Sequence, residues 1–340
     1  MDRHYAKKLS AVTLCAALLL PIAATAQTPE LKFSSFPPPT GALNRDLLTP
    51  WIKEVNTALG SMASIRLFPG GTLGRDPVQQ FKLVRDRVAD LAYVVMDYTP
   101  GDFPDSNMFE LPFVAENSVE GSVAHWRLVQ RGVLRGYDKG KFLAGFMIPP
   151  QSLHTTGKLP NLAALKGQKV RAAGVYQAAT IELLGATPVT GITIAAAAEA
   201  LSRGVVTGVL SDWNGMVAFR IGDAAKNHYE LPLGAAAAGI FMNTESYNAL
   251  PPAARAIIDK YSGESFSRQH GIEFDRQHNE NMERAKKQPE HVFLIPTAAE
   301  RDEVKRRVQP VIDRWAKENP DGRKRLEALA TVVEDIRKGR

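Results

Sequence analysis

Between residues 162 and 214 the chain runs twice through a short strand, a short helix and a glycine-punctuated return. The first pass reads Leu-Lys-Gly-Gln-Lys-Val-Arg at 165–171, then a helical stretch, then Gly-Ala-Thr-Pro-Val at 185–189. The second closes on Gly-Val-Val-Thr-Gly-Val-Leu-Ser-Asp-Trp-Asn at 204–214. A strand reached from another strand through a helix usually lies parallel to it, so these units commit the chain to a parallel sheet covered by helices. The N-terminal part repeats the pattern. A strand at 31–34 leads through a stiff Phe36-Pro37-Pro38-Pro39-Thr40 loop to a helix with Leu47, Leu48, Trp51, Ile52 and Val55 on one face, stopped by Gly60. A second strand at 64–68 is followed by Asp76-Pro77, an N-cap with proline at the first helical position, and a helix expected to bury Val78, Phe81, Val84 and Val88. The apolar run from Asp90 to Val95 reads as a strand buried on both faces. The fold class is α/β, with two mainly parallel sheets flanked by helices.

Further strands are expected at 142–148, 240–242 and 292–295, with a helical pattern running from Pro251-Pro252 to about Lys287, long enough to brace two domains. A final helix places Val304, Val308, Val311, Ile312 and Trp315 on one face. The expected division is a signal peptide at 1–26, domain I at 27–148 with 237–276 returning to it, domain II at 149–236 with 277–330 packing on it, and a tail at 331–340. The leader carries Arg3, Lys7 and Lys8, an apolar run from Ala11 to Ala24, and small residues at Ala24-Thr25-Ala26, so cleavage is expected before Gln27 and the mature protein in the periplasm. Its one cysteine, Cys15, leaves with it, so no disulfide framework is available and a large core must stabilise the rest.

The formal charge of +6 sits at the two ends, in the leader and in residues 301–340, and the body between them is neutral. Basic clusters with interleaved aromatics are missing, which excludes a nucleic-acid partner. Catalytic machinery is equally scarce: there is no His-Glu-x-x-His, no Gly-x-Ser-x-Gly and no nucleotide-binding glycine loop. Gly70-Gly71-Thr72-Leu73-Gly74 lacks the lysine of a phosphate cradle. His270 and His278 read as polar positions of a surface helix, because zinc needs more converging ligands. Two constellations remain. Arg171 ends a strand and offers a planar, permanently charged fork that matches a carboxylate, with Ala172-Ala173-Gly174 leaving room for a ligand; the alternative is an interdomain salt bridge. Ser211-Asp212-Trp213 follows another strand and can stack on or hydrogen-bond a ligand; the alternative is a core tryptophan behind a helix N-cap. The loops at 34–40 and 96–101 lie beyond strand carboxyl ends, where open α/β sheets bind ligands.

These segments together resemble the solute-binding proteins of TRAP transporters, the DctP-like family, from about residue 30 to 320. The pieces that carry it are Phe68-Pro69-Gly70-Gly71-Thr72-Leu73-Gly74, Glu110-Leu111-Pro112-Phe113, the 165–171 segment, Leu184-Gly185-Ala186-Thr187-Pro188-Val189 and Ala200-Leu201-Ser202-Arg203-Gly204-Val205-Val206-Thr207-Gly208, in the family's order. The resemblance implies a two-domain clamshell joined by crossing strands and a bracing helix. It also implies closure around an organic acid, and delivery to a sodium-coupled membrane permease.

In such proteins the arginine of the Lys-Gly-x-Lys-Val-Arg segment grips the carboxylate, and it falls on Arg171. A second arginine of some members is replaced by Gln151 in Pro150-Gln151-Ser152-Leu153-His154, and Thr207-Gly208-Val209-Leu210-Ser211 departs from sialic-acid binders. One cationic clamp implies one carboxylate. Phe36, Tyr98 and Trp213 then line the remainder, which suits an aromatic or apolar hydroxy or keto acid. Some keto-acid binders hold a cation through a glutamine and an acidic-Trp pair, which here are Gln151 and Asp212. No cofactor and no catalytic residue are expected, and a monomer is. The alternatives are an exported enzyme using Asp212 or His154 as a base, and a ligand sensor for a signalling partner.

Overall fold

A computed structural model describes residues 28–340; the expected signal peptide lies outside the described residues. Eleven strands run through it. They are β1 (Glu30–Ser34), β2 (Ser64–Phe68), β3 (Leu91–Val95), β4 (Lys141–Met147), β5 (Ser152–Thr155) and β6 (Lys169–Arg171). The chain continues with β7 (Thr187–Val189), β8 (Gly208–Ser211), β9 (Asn227–Tyr229), β10 (Ala237–Met242) and β11 (Val292–Leu294). They form a five-stranded sheet in the order β2-β1-β3-β10-β4 and a six-stranded sheet in the order β11-β9-β5-β8-β6-β7.

The strand-helix-strand units behave as their pattern dictates. β1 pairs parallel with β2 and β3, and β6 pairs parallel with β7 and β8. All five residues of β3 are buried, in keeping with its unbroken apolar run. Each sheet also takes antiparallel strands, β10 between β3 and β4 in the first and β5 between β8 and β9 in the second. These are the crossing segments: the chain leaves the first sheet along β4, enters the second at β5, and returns along β10.

Several expectations need correction. The helical pattern after Pro251 is two helices, Pro252–Lys260 and Gly263–Lys286, because Ser262 is extended and Gly263 adopts φ +81°, which only glycine takes without strain. Val88 is 44% exposed, since its helix ends at Arg85 and the chain turns through Arg87 in the left-handed region. Residues 331–340 are no loose tail. Most of them belong to the helix Gly322–Arg337, which packs on the helix Ser118–Gln130 of the first lobe, with Arg337 forking onto the Glu120 carboxylate at 2.9 Å.

The C-terminal region therefore clasps both lobes rather than domain II alone. Val304 and Val308 of the helix Ala298–Glu318 join the core of the second lobe, while Val311 and Trp315 join a core of the first. The helix Gly263–Lys286 likewise touches both. His270 stacks at 4.0 Å on Phe146 of β4, and His278 accepts from the Trp213 amide, so neither histidine is the surface position its sequence suggests.

Candidate functional site

Three neighbouring strands of the second sheet, β5, β8 and β6, bring their ends together at one edge. β5 runs antiparallel to β8, so Gln151 before its start lies beside Asp212 beyond the end of β8, and Arg171 closes β6 next to both. From the first sheet, the turn after β3 contributes Tyr98 and the loop after β1 contributes Phe36. Between the two edges is a cavity of about 80 Å³. One water needs roughly 10–15 Å³ by the same kind of measure, so the cavity holds several waters' worth of solute. Phe36, Tyr98, Gln151, Arg171 and Asp212 all line it, so five of the seven residues expected from sequence converge.

Arg171 is 1% exposed, yet its guanidinium is not paired with a carboxylate. Nε donates to Ile192 O at 2.8 Å, Nη1 to Leu210 O at 3.3 Å and Nη2 to the Tyr98 hydroxyl at 3.3 Å. A guanidinium has five N–H donors, so one on each Nη has no partner among the described residues. That is the fork a carboxylate fits. The backbone carbonyls hold the cation in place and the phenol ties it to the other lobe, where Tyr98 also accepts from Ile194 N at 3.1 Å. The alternative reading of Arg171, an interdomain salt bridge, is not formed among the described residues.

Asp212 caps the helix Trp213–Ala218, with Oδ1 accepting from Asn214 N at 2.8 Å and Gly215 N at 3.2 Å. Burial pushes its carboxyl up to about 6 against these two amides, which act in the opposite direction. Gln151 turns its Oε1 toward Gln177, from whose Nε2 it accepts at 2.9 Å. A cation held by Gln151 and Asp212 would have to share these oxygens with the amides that already bond them. One of the oxygens it would use already accepts from an amide, and no group of three acidic, histidine or cysteine side chains converges among the described residues.

Trp213 and Ser211 are corrections. Both side chains lie away from the cavity and are buried in the second lobe. The Trp213 ring packs against His154, His228 and Phe293 with centroids 5.2, 4.7 and 5.4 Å away, and Nε1 donates to Glu230 Oε1 at 3.2 Å. Side chains alternate across β8 and its extension, so an Asp212 facing the cavity sends its neighbour to the other face. Ser211 Oγ donates to Asp212 O at 3.0 Å. His154, the other candidate base, is also behind the sheet, with one ring nitrogen 3.0 Å from Ser211 O and the other 2.8 Å from His228 Nδ1.

Gly174 serves a different purpose from the one its sequence position suggests. A Cβ there would come within 1.9 Å of Glu110 Oε1, so the missing side chain makes room for a carboxyl of the first lobe rather than for a ligand. Glu110 Oε2 accepts from Tyr176 N at 2.9 Å and Gln177 N at 3.3 Å, capping the helix Val175–Leu183 from outside. Burial pushes Glu110 up to about 7, while those amides and the Arg171 charge act against the shift. Asp97 beside it is buried, and burial and the Glu110 charge hold it well above the usual carboxylate range, against the Ala237 amide and the Arg171 charge.

Sequence reasoning missed Tyr93, Ile194, Phe219 and Phe274 in the cavity wall. Tyr93 lies within an all-buried strand, where no alternation shows which side chains face the cleft. Phe274 is one of a few apolar positions on a mostly polar helix, and no motif marks it.

Comparison with known proteins agrees with this architecture. The chain matches the model of DctP, "bacterial extracellular solute-binding protein, family 7", over residues 33–319. It is 27% identical over 277 residues to the outer membrane transporter protein TsaT of Comamonas testosteroni, a match covering 78% of each chain. A TRAP solute binding protein from Rhodoferax ferrireducens, solved with copurified benzoate, superposes with a TM-score of 0.86 at 28% identity, over 92% of this chain and 99% of that one. A TRAP solute binding protein from an unidentified marine microbe, described as specific for aromatic acid ligands and solved with metahydroxyphenylacetate, superposes with a TM-score of 0.85 at 27% identity. That match covers 90% of this chain and 99% of the other.

Proposed function

The chain belongs to family 7 of the bacterial extracellular solute-binding proteins, the DctP proteins of TRAP transporters, and from that premise we propose that it captures an aromatic monocarboxylate between its two lobes. Arg171 is the anchor. The observation that carries the reading is a buried guanidinium with two N–H groups that have no partner among the described residues, facing a cavity walled mainly by rings and aliphatic side chains, with Gln151, Asp212 and Asn214 as the other polar groups. A carboxylate completes that fork, and the desolvated setting makes the charge-assisted bonds strong. Phe36, Tyr93 and Tyr98 offer faces and edges to a ring.

Asp212 supports the limit to one carboxylate, because a second ligand anion would face its carboxyl across a small space. The aromatic acids bound by the two solved relatives are of the same chemical class. Closure follows if the ligand bonds both lobes and so prefers the closed arrangement. The protein then hands its ligand to the membrane permease from the periplasm, after removal of a leader before Gln27, and works as a monomer. The enzyme alternative loses support, since His154 is behind the sheet and Asp212 is tied to two amides.

Calorimetry with benzoate, 3-hydroxybenzoate, phenylacetate and succinate tests the reading. The aromatic monocarboxylates are expected to bind and to raise Tm in proportion to the logarithm of their concentration. Tighter binding of succinate would overturn it.

A further inference from the structure

Behind Gln151 stands a second glutamine that no ligand can touch. Gln177 is fully buried in the helix Val175–Leu183 and makes three hydrogen bonds. Its Oε1 accepts from Ala173 N at 2.9 Å, and its Nε2 donates to Ala235 O at 2.9 Å and to Gln151 Oε1 at 2.9 Å. Two of these partners are backbone groups with no choice of role: an amide N–H only donates and a carbonyl only accepts. They fix which end of the Gln177 carboxamide is oxygen and which is nitrogen. Its nitrogen must therefore meet Gln151, and Gln151 must answer with its oxygen.

The orientation of Gln151 is thereby set two residues deep. Its main chain is pinned as well, with Gln151 N donating to Gly234 O at 2.7 Å and Gln151 O accepting from Leu233 N at 3.0 Å. Gln151 is 4% exposed and lines the cavity, and its Nε2 has no protein partner among the described residues. We propose that Gln177 is a specificity-determining residue acting through Gln151. It locks the Gln151 carboxamide with its N–H groups toward the cavity, so that this position takes an acceptor oxygen of the ligand and no cation travels with the carboxylate. Gln177 touches no ligand and is a positioning residue.

The chemistry follows from the donor set. A metal ion at this edge would need Gln151 Oε1, which is turned away, and would face an N–H dipole of the wrong sign instead. An acceptor oxygen, whether of the carboxylate or of a neighbouring carbonyl or hydroxyl, meets donors from Gln151 on one side and Arg171 on the other. The identity of that ligand rests on the monocarboxylate reading above; the orientation of the two amides does not.

A double-mutant cycle with benzoate as probe separates positioning from mere support. Gln177→Met keeps the side-chain length and removes all three bonds, leaving Gln151 free to turn. Benzoate affinity is expected to fall roughly tenfold in this variant, and to change less than about twofold when the same substitution is made in a Gln151→Met background. Affinity of the wild type should be the same within twofold in sodium, potassium or choline chloride and after EDTA. Additive losses in the cycle, or an affinity that needs a particular cation, would overturn the proposal. Failure of the wild type to bind benzoate at all would count against the aromatic reading alone. The amide orientation is then decided in the ligand-free protein by NMR: a trans-hydrogen-bond coupling between Gln177 Nε2 and the Ala235 carbonyl carbon supports the lock, and its absence refutes it.

Discussion

Arg171 ends β6 and Trp213 follows the end of the neighbouring β8, and both are equally conspicuous in the sequence, but the fold gives them opposite roles. Arg171 faces the cleft and keeps two N–H donors without protein partners. Trp213 faces the interior of the second lobe, and its one polar hydrogen is taken by Glu230. Around Trp213 the imidazoles close on one another: His154 meets His228 at 2.8 Å and His228 meets His291 at 2.8 Å. Burial pushes His154 down to about 3 and His228 to about 2, so both stay neutral. One face of the sheet has hydrogen-bonding capacity left over and the other has consumed it. Leftover capacity, not residue type, separates a ligand site from a polar core.

The largest effect that tests this contrast is the loss of the guanidinium. Arg171→Met should weaken binding of an aromatic monocarboxylate by about a hundredfold or more, in line with the roughly 2–5 kcal/mol that truncating one side of a buried charge pair costs. Trp213→Phe should do the reverse. Affinity is expected to stay within about threefold while Tm falls by a few degrees, because Glu230 loses a donor and the packed ring shrinks, together on the order of 1–3 kcal/mol. Calorimetry and thermal melts on both variants check the pair. A Trp213→Phe protein that melts normally but binds weakly would reverse the assignment.

How much of this was readable from sequence depends on what each feature needs. The parallel units, the crossing strands of the family and the position of Arg171 rest on local pattern and motif order, and they stand. The failures are of two kinds. Nearness to a strand end points to Trp213 and Ser211, but which way a side chain turns there depends on the register of β8 against β5, which is a long-range property. Gly174 reads in the sequence as space for a ligand, whereas the occupant is Glu110, 64 residues earlier. Gln177 carries no motif at all; only the backbone groups around it reveal its role. The break at Gly263 is hidden by the helical pattern on both sides, because a glycine inside such a pattern does not reveal its φ.

A smaller effect concerns the link between the lobes. Tyr98→Phe removes the hydroxyl that accepts from Arg171 Nη2 and Ile194 N, leaving two donors without an acceptor in a half-buried position. The expected loss is about 1 kcal/mol, or roughly fivefold in affinity for the same ligand. Unchanged affinity would mean that Tyr98 serves only as a ring in the cavity wall.

The smallest effect is a pH dependence on the far side of the same junction. Glu110 is raised from its ordinary 4.5 to about 7, chiefly by burial, and the groups facing it are Asp97, Arg171 and the amides of Tyr176 and Gln177. Between those two values the folded protein holds a proton that the unfolded chain has released, so this group makes stability fall as pH rises through the window and adds no further change above about 7. Glu110→Gln removes the titration while keeping an oxygen for the helix amides. The Tm of wild type minus that of the variant should therefore decline from pH 5 to pH 7.5, with the downward-shifted histidines His125 and His154 cancelling because both proteins share them. A difference that stays flat across that range would show that the Glu110 carboxyl is ionised throughout and that the helix amides, rather than burial, govern its charge.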